Sequence, residues 1–114
     1  MAALDTNVLV RFLVQDDPAQ SALAHSLIHD ALQAGETLYL PVTVVLELEW
    51  VLRAAYRFSK EQVTRALSRL LAAAELSFGS ESAVEVALAL YQKSSADFAD
   101  CLHIALAHAA GESP

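Results

Sequence analysis

The chain has 114 residues, of which 55% are hydrophobic, and its formal net charge is −7. This composition excludes a disordered chain, and the length predicts one domain with a substantial core. A surface with this negative balance does not attract nucleic acid by phosphate contacts alone, so any nucleic-acid chemistry would need a local basic rim or bound cations.

The sequence lacks the features of membrane-spanning or secreted proteins and those of cysteine-rich folds. No apolar run approaches the roughly 20 residues of a membrane span, and the N-terminus has no signal-peptide pattern. Cys101 is the only cysteine, which rules out a disulfide framework and a multi-cysteine zinc site. We therefore expect a cytoplasmic protein.

Short apolar runs alternate with longer segments of helical spacing along the chain. The predicted strands are 2–4, 37–40 and 75–78. The predicted helices are 8–14, 18–35, 42–56, 60–74, 81–91 and 97–110. Strands separated by pairs of helices require crossover connections, which predict parallel pairing and an α/β fold. The alternative is an all-helical bundle, if the three short strands do not form.

Residues of known end preference mark several helix boundaries. Asp17 followed by Pro18 is typical of a helix start, with the aspartate as cap. Ser59 and Gln62 have the spacing of a capping box. Gly35 and Gly111 follow helical segments and are expected to end them.

Asp5 follows the first predicted strand, at the position where open α/β sheets bind ligands. No lysine or arginine lies within five residues of it. One interpretation is that Asp5 anchors a metal site on which other carboxylates converge. The other is that Asp5 or Thr6 only caps the next helix, since both residue types are good N-caps.

The two glutamates of the third helix differ in their neighbours. Arg53 lies four residues after Glu49, so we expect a solvated ion pair there. Glu47 has no cation within reach on its own helix, and its helical neighbours are largely apolar. An unpaired buried carboxylate must protonate, pair or bind a metal, so Glu47 is a candidate functional residue unless a distant arginine pairs with it.

Asp97 and Asp100 lie three residues apart at the start of the last helix and share a face. Both would suit the positive end of the helix dipole, which is the purely structural interpretation. However, no lysine or arginine follows Lys93, and like charges on one face favour a cation between them. A hard divalent ion such as Mg²⁺ or Mn²⁺ suits a cluster of carboxylate oxygens.

Three segments together resemble a known family. LDTNVLVRFL, VVLELEWVL and ADFADCLHIALAHA are similar to the signature blocks of PIN-domain ribonucleases, and most similar to VapC-type toxins of toxin–antitoxin pairs. The resemblance implies a three-layer α/β/α fold around a central parallel sheet. It also implies Mg²⁺- or Mn²⁺-dependent endonucleolytic cleavage of RNA, a homodimer and a small antitoxin partner.

The resemblance assigns roles position by position. Asp5, Glu47 and Asp100 match the acidic metal-site residues of the family. Asp97 matches an assisting acidic position, and Thr6 matches a small hydroxyl residue expected to hold a water at the metal. The broad apolar stripes of the second and fourth helices, 23–32 and 63–71, are a separate reason to expect a homodimer.

One departure from the family concerns the C-terminal end. Family members continue with a further strand and a fourth acidic residue, whereas this chain ends at residues 111–114. We therefore expect a single PIN-like domain, 1–114, that is short at its C-terminus, lacks the last strand and binds metal weakly. The alternative function is a non-catalytic interaction module that binds an antitoxin-like partner or its own copy.

Overall fold

The computed structural model describes residues 2–14, 18–36, 38–73 and 76–111. Strands and helices follow in the order β1 (Ala2–Ala3), α1 (Thr6–Val14), α2 (Pro18–Gln33), β2 (Leu38–Leu40), α3 (Val42–Ala54), α4 (Lys60–Ala72), β3 (Leu76–Phe78), α5 (Glu81–Lys93) and α6 (Phe98–Gly111). This is the predicted order. The predicted Asp17 cap lies outside the described residues, as do Thr37, Ala74 and Glu75 at the ends of predicted elements.

The three strands form one parallel sheet in the order β1-β2-β3. The Leu4 amide donates to the Tyr39 carbonyl at 3.0 Å, and the Gly79 amide donates to the Leu40 carbonyl at 2.9 Å. These bonds extend the pairing by one residue beyond β1 and β3. The α/β fold with a central parallel sheet is therefore confirmed, and the all-helical alternative is wrong.

Local chemistry explains most helix ends. Ser59 and Gln62 form the predicted capping box, in which each side chain accepts a hydrogen bond from the other residue's amide. Gly35 adopts a φ of +77° after α2, and its amide donates to the Leu32 carbonyl, as in a Schellman motif. Helix α3 ends before the predicted Tyr56, because Arg57 takes a left-handed φ of 56° and turns the chain.

Helix α3 supplies the centre of the core. Its residues Val45, Leu48 and Leu52 are fully buried. The helix packs against α1, α4 and α6, and α6 packs along α5. The rings of Tyr91 on α5 and Phe98 on α6 meet edge to face, with centroids 5.6 Å apart. None of the helices in the described ranges is long and apolar enough to span a membrane.

The apolar faces of α2 and α4, both expected to remain uncovered, differ in their burial. The α4 residues Val63, Leu67 and Leu70 are buried within the chain, so the expectation of an uncovered α4 stripe is wrong. On α2, by contrast, Leu23 is 61% exposed and Leu27 is 53% exposed. Any apolar face left for another molecule by these two helices is therefore on α2.

A half-buried ion pair on α3 joins the exposed Arg53 to the buried Glu49. The Arg53 Nε donates to the Glu49 Oε2 at 2.9 Å. The predicted pairing is thus present, but Glu49 is only 2% exposed, so the expectation of a solvated pair is wrong for the carboxylate. The side chain of Arg53 is 47% exposed. Its hydrogen bond to Glu49, together with the charge of that carboxylate, raises the pKa of Arg53 above its ordinary value.

We predict that Arg53→Met lowers the free energy of unfolding by about 2 kcal/mol, measured by urea denaturation. The variant leaves the Glu49 carboxylate buried without a cation, which destabilises the folded state. The loss of stability is moderate because Arg53 is half exposed and its charge is partly screened by water. The double variant Glu49→Met/Arg53→Met should recover most of the loss, since it buries no charge. The exposed Glu47 provides the control, because Glu47→Gln should change stability by less than about 0.5 kcal/mol. An Arg53→Met variant as stable as the wild type would show that the pair contributes nothing.

Tyr91, on α5, is close enough to the same ion pair for the two charges to affect its phenol. Burial of the phenol raises the pKa of Tyr91, because it disfavours the phenolate, and the nearby charge of Glu49 raises that pKa further. The Lys60 Nζ lies 4.7 Å from the ring centroid and donates to the Ser94 carbonyl at 2.6 Å. The ring of Tyr91 on α5 is therefore near Lys60 of α4 and near the charge of Glu49 on α3.

We predict a loss of stability at alkaline pH that Tyr91→Phe reduces. Above a pH of about 10, the ordinary tyrosine pKa, the unfolded chain releases a proton that folded Tyr91 retains, so rising pH favours unfolding. Below that pH the raised pKa has no effect. Urea denaturation across this range should give a steeper decline for the wild type than for Tyr91→Phe, and equal slopes would contradict the prediction.

Candidate functional site

Asp5 and Thr6 lie where β1 leads into α1. The Asp5 Oδ1 accepts a hydrogen bond from the Val8 amide at 2.9 Å, so Asp5 caps α1, and α1 begins at Thr6 rather than at the predicted Val8. The Asp5 side chain is exposed, and Thr6 is buried in the first turn. The cap occupies one carboxylate oxygen and leaves Oδ2 for another contact.

The predicted environment of Glu47 is wrong, because its side chain is exposed rather than buried on an apolar face. The inward stripe of α3 is formed by Val45, Leu48, Glu49 and Leu52. Residues two apart on a helix point in different directions, so the burial of Glu49 leaves Glu47 outside the core. Glu47 has no ion pair within the described part of the chain.

Asp97 and Asp100 lie at the start of α6. The Asp97 Oδ1 accepts a hydrogen bond from the Asp100 amide at 2.9 Å, and the Asp97 carbonyl accepts one from the Cys101 amide at 3.1 Å. Both side chains are exposed. Asp97 is thus the cap of α6, and Asp100 lies in the first turn, near the positive end of the helix dipole.

One cleft joins α3 to the start of α6. It has a volume of about 520 Å³. Its lining residues are Thr43, Leu46, Glu47, Glu49, Trp50, Arg53, Asp97 and Ala99. The fold therefore brings Glu47 and Asp97 to one cleft, although 50 residues separate them in the numbering. Three of the lining residues are carboxylates, and the one cation, Arg53, is paired with Glu49.

Asp5 lines a different cleft, of about 190 Å³, together with Arg11 and the exposed leucines Leu23 and Leu27. Asp100 lines neither of these two clefts. Across 2–14, 18–36, 38–73 and 76–111, no group of three or more acidic, histidine or cysteine side chains is close enough to hold a metal ion. The convergence expected for Asp5, Glu47 and Asp100 is not observed in this arrangement of the described residues, and their role as metal ligands stays a prediction.

Trp50 is a residue of this cleft that the sequence motifs do not single out. The signal was present in the spacing, since Thr43, Glu47 and Trp50 follow at i, i+4 and i+7 and must share one face of α3. Trp50 is 58% exposed on that face. The spacing on α3 does not predict the opposite wall of the cleft, which is formed by the start of α6.

The chain was compared with known proteins. The family model described as the PIN domain matches residues 2–113. A VapC ribonuclease of Aquifex aeolicus (strain VF5) is 28% identical over 102 residues, which span 90% of this chain and 75% of that protein. No solved structure gives a significant match. The chain therefore belongs to the PIN domain family and resembles its VapC-type members, as its three sequence blocks predict.

Proposed function

We propose that this protein is a metal-dependent endoribonuclease and the toxin of a toxin–antitoxin pair. The observation that carries the proposal is the PIN domain match over residues 2–113. Within that range we assign the metal site to Asp5, Glu47 and Asp100, as the resemblance of the three sequence blocks implies. The similarity to a protein named VapC ribonuclease supports RNA as the substrate. An RNA-cleaving toxin would act in the cytoplasm.

The chemistry of the donor groups fits Mg²⁺ or Mn²⁺. All four candidate ligands are carboxylates, which supply the hard oxygen atoms that these ions prefer. Asp5 and Asp97 each use Oδ1 as a helix cap and retain a second oxygen, and Glu47 is exposed without an ion pair in the described ranges. In this proposal Asp5, Glu47 and Asp100 would hold the ion and Asp97 would assist, which requires these side chains to come closer together than they lie in the structure.

The chain's own residues have two tasks in the proposed hydrolysis. Mg²⁺ or Mn²⁺, when bound, would lower the pKa of water and neutralise charge on the phosphate. The carboxylates hold that cation, because without it their charges would repel the phosphodiester. Thr6, in the first turn of α1 beside Asp5, would hold and orient the attacking water. Hydrolysis joins the hydroxyl of this water to phosphorus and breaks one bond between phosphorus and a ribose oxygen, and the departing oxygen takes up a proton.

We predict that Asp5→Asn and Asp100→Asn reduce RNA cleavage at saturating Mn²⁺ by about 100-fold or more, through loss of a metal ligand. Asparagine caps helices as well as aspartate does, so Asp5→Asn tests metal binding without removing the cap on α1. The assay is cleavage of end-labelled RNA with Mg²⁺, Mn²⁺ or a chelator, paired with calorimetric titration of Mn²⁺.

The control is Asp30→Asn, an exposed carboxylate on α2, which should cleave like the wild type. An Asp5→Asn variant as active as the wild type would contradict the metal mechanism. A wild-type chain that binds Mn²⁺ but cleaves no RNA would favour the non-catalytic interaction module instead.

The proposed partners are a second copy of the chain and a cognate antitoxin. Support for an association surface comes from Leu23 and Leu27, which lie four residues apart on α2 and are both more than half exposed. Their cleft also contains Asp5, so a molecule bound there would lie beside a candidate ligand of the metal. We propose that α2 forms the homodimer contact.

We predict that Leu23→Glu/Leu27→Glu converts the dimer to a monomer in analytical ultracentrifugation, because each charge would have to be desolvated in the interface. Val86→Glu/Leu90→Glu, at exposed apolar positions with the same spacing on α5, serves as the control and should leave the dimer intact. A dimer that persists in the α2 variant would show that another surface is used.

A further inference from the structure

Trp50 is the only tryptophan of the chain, and its side chain is 58% exposed on α3. Exposed aromatic surface that adjoins polar groups in a concave site is typical of a binding site. Trp50 lines the cleft that also contains Glu47 and Asp97, two of the carboxylates proposed as metal ligands. The aromatic ring thus shares one cleft with two of the four candidate metal ligands.

The spacing on α3 places the ring next to Glu47. Residues three apart are neighbours on a helix surface, and their Cβ atoms lie about 5–6 Å apart. The other wall of this cleft is formed by the start of α6, where Asp97 is followed by the small exposed residue Ala99. A flat group stacked on Trp50 would therefore lie beside the carboxylates of Glu47 and Asp97.

The charges of the cleft indicate what kind of group can lie there. The three carboxylates outnumber the single guanidinium, and Arg53 is already bonded to Glu49 at 2.9 Å. A phosphate would not be attracted to the Trp50 end of this cleft without a cation. The face of a nucleobase carries no net charge, and stacking on an aromatic side chain requires no positive partner.

The geometry points to Trp50 as the stacking platform for an unpaired base of the RNA, beside Glu47 and Asp97. This inference rests on the proposed function, because it assigns the cleft to RNA. Proteins recognise RNA mainly through unpaired bases that stack on aromatic side chains. The cleft volume of about 520 Å³ lies within the range of small-ligand sites. A single platform would give little sequence preference, since every base has an aromatic face.

The single tryptophan makes the contact directly measurable. The probe is a short single-stranded oligoribonucleotide in which uncharged methylphosphonate linkages replace the phosphodiesters. It has bases but no backbone charge, so its binding needs no metal and no cleavage. We expect this probe to quench the Trp50 emission of the wild-type protein in a saturable manner. An abasic oligomer with the same backbone should leave the emission unchanged.

Three variants test whether the aromatic ring is the cause. The anisotropy of a dye-labelled probe should show about 10-fold weaker binding to Trp50→Ala and nearly unchanged binding to Trp50→Phe, which keeps a stacking face. Val86→Ala removes an exposed apolar side chain of α5 and should bind like the wild type. Because Trp50 and Val86 are both exposed, all three variants are expected to fold. Circular dichroism checks this.

The outcomes separate this inference from the proposed function. Asp5→Asn should lose Mn²⁺-dependent cleavage of natural RNA but retain quenching by the neutral probe. If the wild type cleaves no RNA while quenching persists, base stacking stands and the nuclease proposal fails. If the wild type cleaves RNA but Trp50→Ala binds the probe as tightly as the wild type, stacking on Trp50 is wrong. If Trp50→Ala instead dissociates a dimer and the probe causes no quenching, Trp50 belongs to a contact between copies, and the inference is overturned.

Discussion

The burial of one face of α3 determines which of its two glutamates is buried and which is exposed. Val45, Leu48 and Leu52 hold this face against the core, and the period of the helix then places Glu49 inward and Glu47 outward. The inward carboxylate requires a cation, which Arg53 supplies from the next turn at 2.9 Å. The outward carboxylate remains without an ion pair in the described ranges and available to a ligand.

The helix caps place the other candidate carboxylates. Asp5 and Asp97 each begin a helix and accept a backbone hydrogen bond with one oxygen. The two interpretations of these residues, cap or ligand, are therefore compatible, since a carboxylate has a second oxygen to offer. The positive ends of α1 and α6 also stabilise these charges in the absence of a cation. Capping places each carboxylate at the N-terminus of its helix. The packing of the helices then decides how close the carboxylates are to each other.

The negative charge of the protein has a consequence for substrate binding. With a net charge of −7 and an acidic cleft, phosphate contacts at this cleft would not give the affinity that the proposed RNA substrate requires. In the proposed function, a cation held by the carboxylates and the neutral faces of the bases would supply that affinity at the cleft. Trp50 and Glu47, three residues apart on α3, would place these two sources side by side.

The sequence by itself determined the order of three strands and six helices, the capping box at Ser59, the ion pair between Glu49 and Arg53, and the family. These features depend on residues within about four positions of each other or on motifs that keep their order along the chain. Only the tertiary structure decided that Glu49 is buried while Glu47 is exposed, that the α4 stripe is covered while Leu23 and Leu27 on α2 are not, and that Trp50 shares a cleft with Asp97. The physical reason is that helical periodicity defines the faces of a helix but not which face packs against a distant element. That choice depends on the burial of the whole set of helices around one small sheet.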